Sequence, residues 1–177
     1  MRDKDLIKGL KRGREEAYYE LINTYGNGLL RTCFLMTKDE GIAEDIVQET
    51  FIRVFKYIKG FKGDSSLYTW IYRISQNVLK DRMKSKLTEI PYEDYHMDKD
   101  NPEDLTIDKI DREILREELD KLGFIYKQVI ILFYFEDRSI KDISEILEEK
   151  EGTIKSKLSR GRALLKKALE KGGKFNG

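Results

Sequence analysis

Apolar residues recur every three or four positions along most of the chain, a spacing that is typical of helices with one buried side. The pattern predicts helices over 14–38, 42–59, within 61–81, and over 110–122, 125–135, 139–147 and 152–169. Two prolines and few glycines fit long helical stretches. We therefore predict an all-α protein.

The segment 86–108 differs in composition and divides the chain. It contains both prolines, Pro91 and Pro102, and many acidic residues against few basic ones. Such a composition is typical of a solvated, flexible linker. It predicts two small helical domains, 1–85 and 109–177, joined by an acidic linker. Alternatively, the acidity of this segment repels DNA or competes with it for basic surfaces.

The helix over 42–59 has more apolar positions than one buried side requires. One stripe has the spacing of a core, and it consists of Val47, Phe51, Val54 and Ile58. A second stripe is acidic at one end and apolar at the other, and it consists of Asp45, Gln48, Glu49, Ile52 and Phe55. Either the helix is buried on both sides, or the second stripe docks on a basic, partly apolar partner.

The stretch 61–81 combines a predicted loop with an unusual helix. Gly63 and the run 64–66 favour a turn followed by a helix N-cap. The apolar side consists of Leu67, Ile71, Ile74 and Val78, and the polar side of Thr69, Arg73, Gln76, Asn77, Lys80 and Lys84, with Trp70 and Tyr72 beside it. Cations pair with phosphates and aromatic rings stack on unpaired bases. This helix therefore has the groups to hold a single nucleic-acid strand; the alternative is rings that fill a core and a solvated charged surface.

A helix-turn-helix is predicted near the C-terminus. Ser139 and Asp142 have capping-box spacing before a short helix, and a turn at 148–150 leads into a longer one. The inward residues of the longer helix are Ile154, Leu158, Gly161, Leu165 and Leu169. Its outward side is basic, and 155–174 contains only one acid, Glu170. Small polar groups at the front of a basic helix suit a major groove; the alternative is a solvated basic helix.

Composition excludes several classes of protein. The chain has 177 residues and a net charge of +1, with no apolar run long enough for a membrane span and no signal-peptide pattern at its start. A single cysteine, Cys33, forms no internal disulfide and fits a reducing cytoplasm. It lies among apolar residues, so we expect it to be buried; a reactive thiol is the alternative. The only histidine, His96, has no partner pattern for zinc, and we predict no metal, cofactor or catalytic residue.

Gly26 and Gly28 lie within the helix predicted over 14–38. Each glycine weakens a helix by about 1 kcal/mol relative to alanine. If the helix has a kink, we expect it at these two residues.

Three stretches together resemble one known family. They are AEDIVQETF at 43–51, FKGDSSLYTWIYRISQN at 61–77 and ISEILEEKEGTIKSKLSRGRALL at 143–165. In this order and separation they resemble the bacterial RNA polymerase sigma factors of the short, two-domain extracytoplasmic-function class. The resemblance spans roughly 17–169. It implies a protein that binds core RNA polymerase, directs it to promoters, melts the minus-10 region and reads the minus-35 element.

The resemblance also implies roles for particular residues. The polymerase-binding residues would be Asp45, Gln48, Glu49 and Ile52. A loop at the start of 61–77 would capture a flipped minus-10 base, and the following helix would hold the non-template strand; the residues concerned are Phe61, Lys62, Gly63, Asp64, Ser65, Trp70, Arg73 and Asn77. Minus-35 DNA would be read by Thr153, Lys155, Ser156, Ser159 and Arg160.

The implied partners are the clamp of the largest polymerase subunit, the flap of the second-largest subunit and promoter DNA. Members of the family are typically held inactive by an anti-sigma factor, often membrane-bound. The implied location is cytoplasmic.

Four residues depart from the family's usual pattern. Glu148 and Glu149 replace a glycine and an apolar residue in the turn, Gly123 stands where proline is common, and Gly161 replaces an alanine. The two acids put the geometry of the turn in question, and Gly161 loosens the last helix.

Two other functions compete with this interpretation. A stand-alone helix-turn-helix regulator with an N-terminal sensor or dimerisation module explains 139–169 but not Trp70, Arg73 and Asn77. A small all-helical hydrolase or metalloprotein explains less still.

Overall fold

The computed structural model describes residues 3–87 and 112–172 of the chain. Its α-helices, in chain order, are α1 (Asp3–Lys11), α2 (Glu15–Thr37), α3 (Glu40–Tyr57), α4 (Leu67–Leu87), α5 (Arg112–Glu118), α6 (Phe124–Tyr134), α7 (Ile140–Leu147) and α8 (Glu151–Lys171). Short 3-10 turns follow α3, at Ile58–Gly60, and α5, at Leu119–Lys121. No strand occurs in 3–87 or 112–172, so the all-α prediction is confirmed there.

The first unit, α1–α4, is built on the long helix α2. The helix continues without a break through Gly26 and Gly28, so the two glycines do not end it. α1 was not predicted from the sequence. It joins α2 through a turn in which Gly13 has a φ of 69°, a conformation that glycine adopts without steric cost.

The helix α3 begins where its sequence predicts. The Asp39 side chain accepts a hydrogen bond from the Ile42 amide at 2.9 Å, which caps the helix. Phe51 and Val54 are buried, whereas Ile52 keeps 52% of its surface exposed. The helix is therefore not buried on both sides in the described part of the chain, and the second stripe is free of the core at Ile52.

The helix α4 begins at a serine cap, as predicted. Ser66 Oγ accepts from the Thr69 amide at 3.0 Å. Leu67, Ile71 and Val78 are buried, which confirms most of the apolar side. On the other side, Thr69, Tyr72 and Gln76 are only 2%, 1% and 3% exposed, so the Tyr72 ring fills the core, as the alternative interpretation expected, and Thr69 and Gln76 are buried with it.

The second unit, α5–α8, contains the predicted helix-turn-helix. Ser139 and Asp142 form the complete capping box at the start of α7. All five inward residues predicted on α8 are buried, namely Ile154, Leu158, Gly161, Leu165 and Leu169. A Cβ on Gly161 would lie 3.1 Å from Ile130 Cγ1, so α6 and α8 approach closely at this point.

The two units pack against each other, α2 on α6 and α4 on α7. α4 extends to Leu87, so the first two residues of the predicted linker are helical. The rest of that linker, with both prolines and His96, lies outside the described residues. The start of the second domain at 109 also lies outside them.

Candidate functional sites

The second stripe of α3 forms an exposed, partly apolar surface. Asp45 and Gln48 are exposed, and Glu49 accepts from Arg53 Nε at 2.7 Å within the same helix. Phe55 at the end of the stripe packs edge-on against Tyr18 of α2, with ring centroids 4.6 Å apart. The surface therefore continues from α3 onto α2.

Two exposed apolar residues of α2 enlarge this surface. Tyr19 is 62% and Ile22 is 41% exposed. α2 and α3 are joined by a short turn and run antiparallel, so Ile22 and Ile52 lie at the same level, about one turn from the Tyr18–Phe55 contact. Ile22 therefore belongs to this exposed surface and not to the core.

The loop before α4 is fixed at its first residue and exposed beyond it. Phe61 is 6% exposed and packs on Trp70, with ring centroids 5.0 Å apart. Its carbonyl accepts from Lys11 Nζ at 2.6 Å. The following residues, Lys62, Gly63 and Asp64, are exposed, and Ser65 is half-buried. Gly63 has a φ of 85°, which favours glycine.

The polar residues predicted on α4 have different surroundings. Asn77 is exposed and Trp70 is half-buried beside the loop. The Arg73 guanidinium donates to the Glu145 carbonyl of α7 through Nε at 3.0 Å and Nη2 at 2.8 Å. The Arg73 guanidinium is therefore paired with the second unit and not with the loop before α4.

A carboxylate that the sequence did not indicate lies between the two units. Glu136, just after α6, is 7% exposed. Its Oε1 accepts from Arg31 Nη2 at 2.7 Å and Nε at 3.1 Å, and its Oε2 accepts from the hydroxyls of Tyr72 at 2.7 Å and Tyr68 at 3.3 Å. Burial raises the pKa of both tyrosines, and the hydrogen bond to Glu136 raises the pKa of Arg31.

The front of α8 presents small polar and basic side chains. Thr153 and Lys155 are exposed, whereas Ser156, Ser159 and Arg160 are half-buried. α8 has seven basic residues against two acidic ones. The buried Nε of Arg160 has no hydrogen-bond partner among residues 3–87 and 112–172. α8 is therefore a cationic helix with small polar side chains at its front.

The two acids in the turn before α8 have separate roles. Glu148 adopts the left-handed conformation, with φ 56°, and its backbone N–H caps α7 by donating to the Ser144 carbonyl. The carboxylate of Glu149 accepts from Lys157 Nζ at 2.6 Å. The helix-turn-helix geometry is thus formed with both acids in place.

Comparison with known proteins decides the family. Residues 21–87 match the description "Sigma-70 region 2" and residues 112–165 match "Sigma-70, region 4". The ECF RNA polymerase sigma factor SigW of Bacillus subtilis is 30% identical over 94% of this chain and 96% of its own length. This chain belongs to the extracytoplasmic-function sigma factors. It is a sigma factor that directs RNA polymerase to promoters.

Other relatives and solved structures agree with this sigma factor's fold. The ECF RNA polymerase sigma-E factor of Haemophilus influenzae is 29% identical over 95% of each chain. CnrH, solved in complex with the cytosolic domain of CnrY, has a TM-score of 0.72 at 20% identity and covers 95% of this chain and 97% of its own. The sigma factor RpoE of Bartonella quintana, solved with the anti-sigma factor NepR, has a TM-score of 0.65 at 23% identity, covering 86% and 96%.

None of the described helices of this sigma factor is long and apolar enough to span a membrane. Sequence reasoning located the loop, the α3 stripe and α8, but missed Glu136 and its partners on the first unit. Glu136 follows an apolar run in α6 and has no spacing that identifies it as buried.

Proposed function

We propose that this sigma factor uses three separate surfaces for three tasks. The α3 stripe, with Asp45, Gln48, Glu49 and Ile52, docks on the clamp of the largest polymerase subunit. The loop and α4 hold the melted minus-10 strand. The front of α8 reads the minus-35 element, while the second unit rests on the flap of the second-largest subunit. The exposure of Ile52, next to the acidic end of the stripe, is the observation that most directly supports the docking role.

The residues proposed for DNA follow from the chemistry of each surface. In the loop, Phe61, Lys62, Gly63, Asp64 and Ser65 surround a flipped base. Trp70 and Asn77, with Arg73 once it is free, contact the non-template strand. On α8, Thr153, Lys155, Ser156, Ser159 and Arg160 approach bases and phosphates.

The energetics of melting require polymerase. Extruding a base from a duplex costs a few kcal/mol, and stacking on an aromatic side chain returns roughly 1–3 kcal/mol. Trp70 can therefore offset about one flipped base. A chain with net charge +1 neutralises few phosphates, so we expect weak promoter binding by the free protein. Nanomolar, sequence-specific binding without polymerase would contradict this expectation.

The docking proposal is tested by gel filtration and run-off transcription with core RNA polymerase. Ile52→Ala should reduce co-elution because it removes the exposed apolar centre of the stripe. Tyr57→Ala is the matched control, since Tyr57 is 53% exposed on the same helix but lies outside the stripe. If the wild-type protein neither co-elutes with polymerase nor directs transcription, a stand-alone helix-turn-helix regulator becomes the better explanation.

Promoter opening is tested separately from docking. Trp70→Ala should leave co-elution unchanged and reduce the permanganate reactivity of minus-10 thymines, because a stacking surface is lost. Unchanged reactivity would remove Trp70 from the mechanism.

Recognition of minus-35 DNA is tested with Arg160→Ala. If its guanidinium reads a base edge, the change should weaken binding of the cognate element by roughly 1–3 kcal/mol. An equal loss on every sequence would instead assign Arg160 to phosphate.

The remaining proposals follow from membership of the family. We propose that the protein works in the cytoplasm, where polymerase is, and has no catalytic activity of its own. An anti-sigma factor is a further proposed partner, because RpoE of Bartonella quintana, which is similar in fold, was solved with one. Co-purification from cells at low and high salt, followed by identification of the bound chain, tests for this partner.

A further inference from the structure

A carboxylate in the turn before α8 pairs with one of the cations of that helix. Lys157 Nζ lies 2.6 Å from each of the two carboxylate oxygens of Glu149. The Lys157 side chain is 17% exposed and the Glu149 side chain is 31% exposed. The protein therefore covers most of both side chains, and their opposite charges cancel beside the front of α8.

Lys157 lies on the side of α8 that we assign to DNA. Residues three and four positions apart on a helix are neighbours on its surface, so Lys157 lies between Thr153 and Arg160. In a helix-turn-helix, the N-terminal residues of the second helix contact base edges in the major groove. Duplex DNA has one negative charge per about 1.7 Å of its axis. An unpaired lysine at this position would therefore be close to phosphates.

The backbone of the turn holds Glu149 in place. Its amide donates to the Ser144 carbonyl at 3.0 Å, and the Glu148 amide donates to the same carbonyl. An exposed ion pair between two mobile side chains contributes little, because both must be ordered. The Glu149–Lys157 pair has less to lose, since its carboxylate starts from a fixed backbone and both of its oxygens contact one ammonium group.

A phosphate cannot easily attract Lys157 away from this carboxylate. If Lys157 turned to DNA, it would exchange one anion for another of like charge. Glu149 would then be left unpaired beside a polyanion, and like charges at short range repel each other. Lys155 is different, because it is exposed and pairs with no acidic side chain in the described part of the chain.

We propose that Glu149 is a positioning residue that keeps Lys157 away from DNA and thereby lowers the sequence-independent affinity of α8. The inference rests on the proposed role of α8 in binding DNA. A contact between lysine and phosphate strengthens binding to every sequence alike, so it does not help α8 to select its element. With Lys157 paired to Glu149, the free protein binds arbitrary duplex DNA more weakly than the basic charge of α8 would allow.

The salt dependence of duplex binding counts the cations that contact phosphates. Each contact makes log K fall with log[salt] more steeply, by about 0.9. Fluorescence anisotropy of the full chain gives this slope with two duplexes of about 30 base pairs and unrelated sequence, between about 50 and 200 mM salt. Duplex probes contain no melted strand, so the surface proposed on α4 for the single strand does not contribute.

Glu149→Gln should steepen the slope by about 0.9 on both duplexes, because the released Lys157 then contacts a phosphate. At about 100 mM salt, binding should tighten about eightfold if the new contact contributes nothing at about 1 M. Glu151→Gln is the charge-matched control. Glu151 is exposed at the start of α8 and pairs with no basic side chain within residues 3–87 and 112–172, so the slope should not change.

The decisive comparison is Lys157→Ala in two backgrounds. In the wild type it should leave the slope unchanged, because Lys157 does not contact DNA. In the Glu149→Gln background it should return the slope to the wild-type value. An equal effect in both backgrounds would mean that Lys157 acts only through the net charge of the chain, and this result would overturn the inference.

Two further results bear on Glu149. If Glu149→Gln steepens the slope on one duplex only, Lys157 contacts a base edge and the inference is wrong. Circular dichroism checks that each variant keeps the helix content of the wild type. If Glu149→Gln does not, Glu149→Ala also removes the carboxylate and is expected to give the same slope.

Lys155→Ala separates this inference from the proposed function. Lys155 is one of the exposed residues assigned to DNA, so its loss should flatten the slope of the wild type by about 0.9. If Lys155→Ala flattens the slope but Glu149→Gln leaves it unchanged, the inference fails and the proposed function stands. If Lys155→Ala has no effect on the slope, the proposed role of the front of α8 fails, whatever the result for Glu149→Gln.

Discussion

Gly26 and Gly28 lie two residues apart on α2, yet we expect replacement by alanine to have opposite effects at the two positions. A Cβ on Gly26 would meet only Ile22 Cγ2 of the same helix, at an ordinary 3.8 Å. A Cβ on Gly28 would lie 2.7 Å from Tyr72 Oη and 3.5 Å from Glu136 Oε2. Because a methyl group cannot approach an oxygen to 2.7 Å, Tyr72 must move away from Glu136.

The magnitudes follow from these two environments. Gly26→Ala should stabilise the protein by about 1 kcal/mol, which is the gain in helix propensity. Gly28→Ala has the same gain, but it disrupts a hydrogen bond to a buried carboxylate, which is worth roughly 1.5–3 kcal/mol. The net effect at Gly28 should be a loss of roughly 0.5–2 kcal/mol.

Thermal unfolding followed by circular dichroism measures both effects. In a chain of this length, 1 kcal/mol shifts Tm by about 2–4 °C. Gly26→Ala should raise Tm and Gly28→Ala should lower it. In a Tyr72→Phe background the nearest atom that remains from this ring is Cζ at 4.0 Å, so Gly28→Ala should then become stabilising. If Gly28→Ala raises Tm as much as Gly26→Ala does in the wild type, the close approach of α2 to Tyr72 is refuted.

Three further predictions concern single residues. Glu148→Gly should stabilise the second unit by about 1 kcal/mol in urea unfolding, because glycine adopts the left-handed conformation of this residue without strain. Glu148→Gln is the control, since it keeps the Cβ. An equal gain in stability from Glu148→Gln would exclude backbone strain as the cause. Ser139→Ala should cost about 1 kcal/mol through loss of the α7 cap, whereas Ser144→Ala within the helix should not, and similar effects of the two changes would contradict the capping box. Burial raises the pKa of Cys33 from 9.0 to about 11, so the stability that its neutral thiol contributes is present below pH 9 and is lost as the pH rises to about 11. Cys33→Ala should remove that part of the pH dependence of urea unfolding, and identical profiles would show that the thiol is not the cause.

The helices of this sigma factor other than α1 could be predicted because each buries one side at a regular spacing. The five inward residues of α8 and the cap at Ser139 follow from local pattern and local hydrogen bonds alone. The exposure of Ile52 was left open by the sequence because an apolar stripe has the same spacing whether it faces a core or a partner. Whether Ile52 is buried or exposed depends on which other helices of the chain pack against α3.

The contact between the two units could not be predicted from the spacing of apolar and polar residues. Gln76 and Gln128 read as ordinary surface residues, and only their position opposite each other makes a buried pair. Glu136 is satisfied by residues 64 to 105 positions away in the chain. The spacing of apolar residues indicates which side of a helix is buried. It does not indicate which polar side chains form hydrogen bonds when they are so far apart in the sequence.

The loop before α4 is tethered at both ends, which limits what it can enclose. Lys11 holds the Phe61 carbonyl at one end, and the Ser66 cap holds the other. Five Cα–Cα steps between these anchors, at about 3.8 Å each, allow the tip to rise by at most about 9 Å. In the role that we propose for this loop, the flipped base would have to fit within that height. Deleting α1 would remove the Lys11 anchor, so the N-terminal helix limits how far this loop can move away from α4.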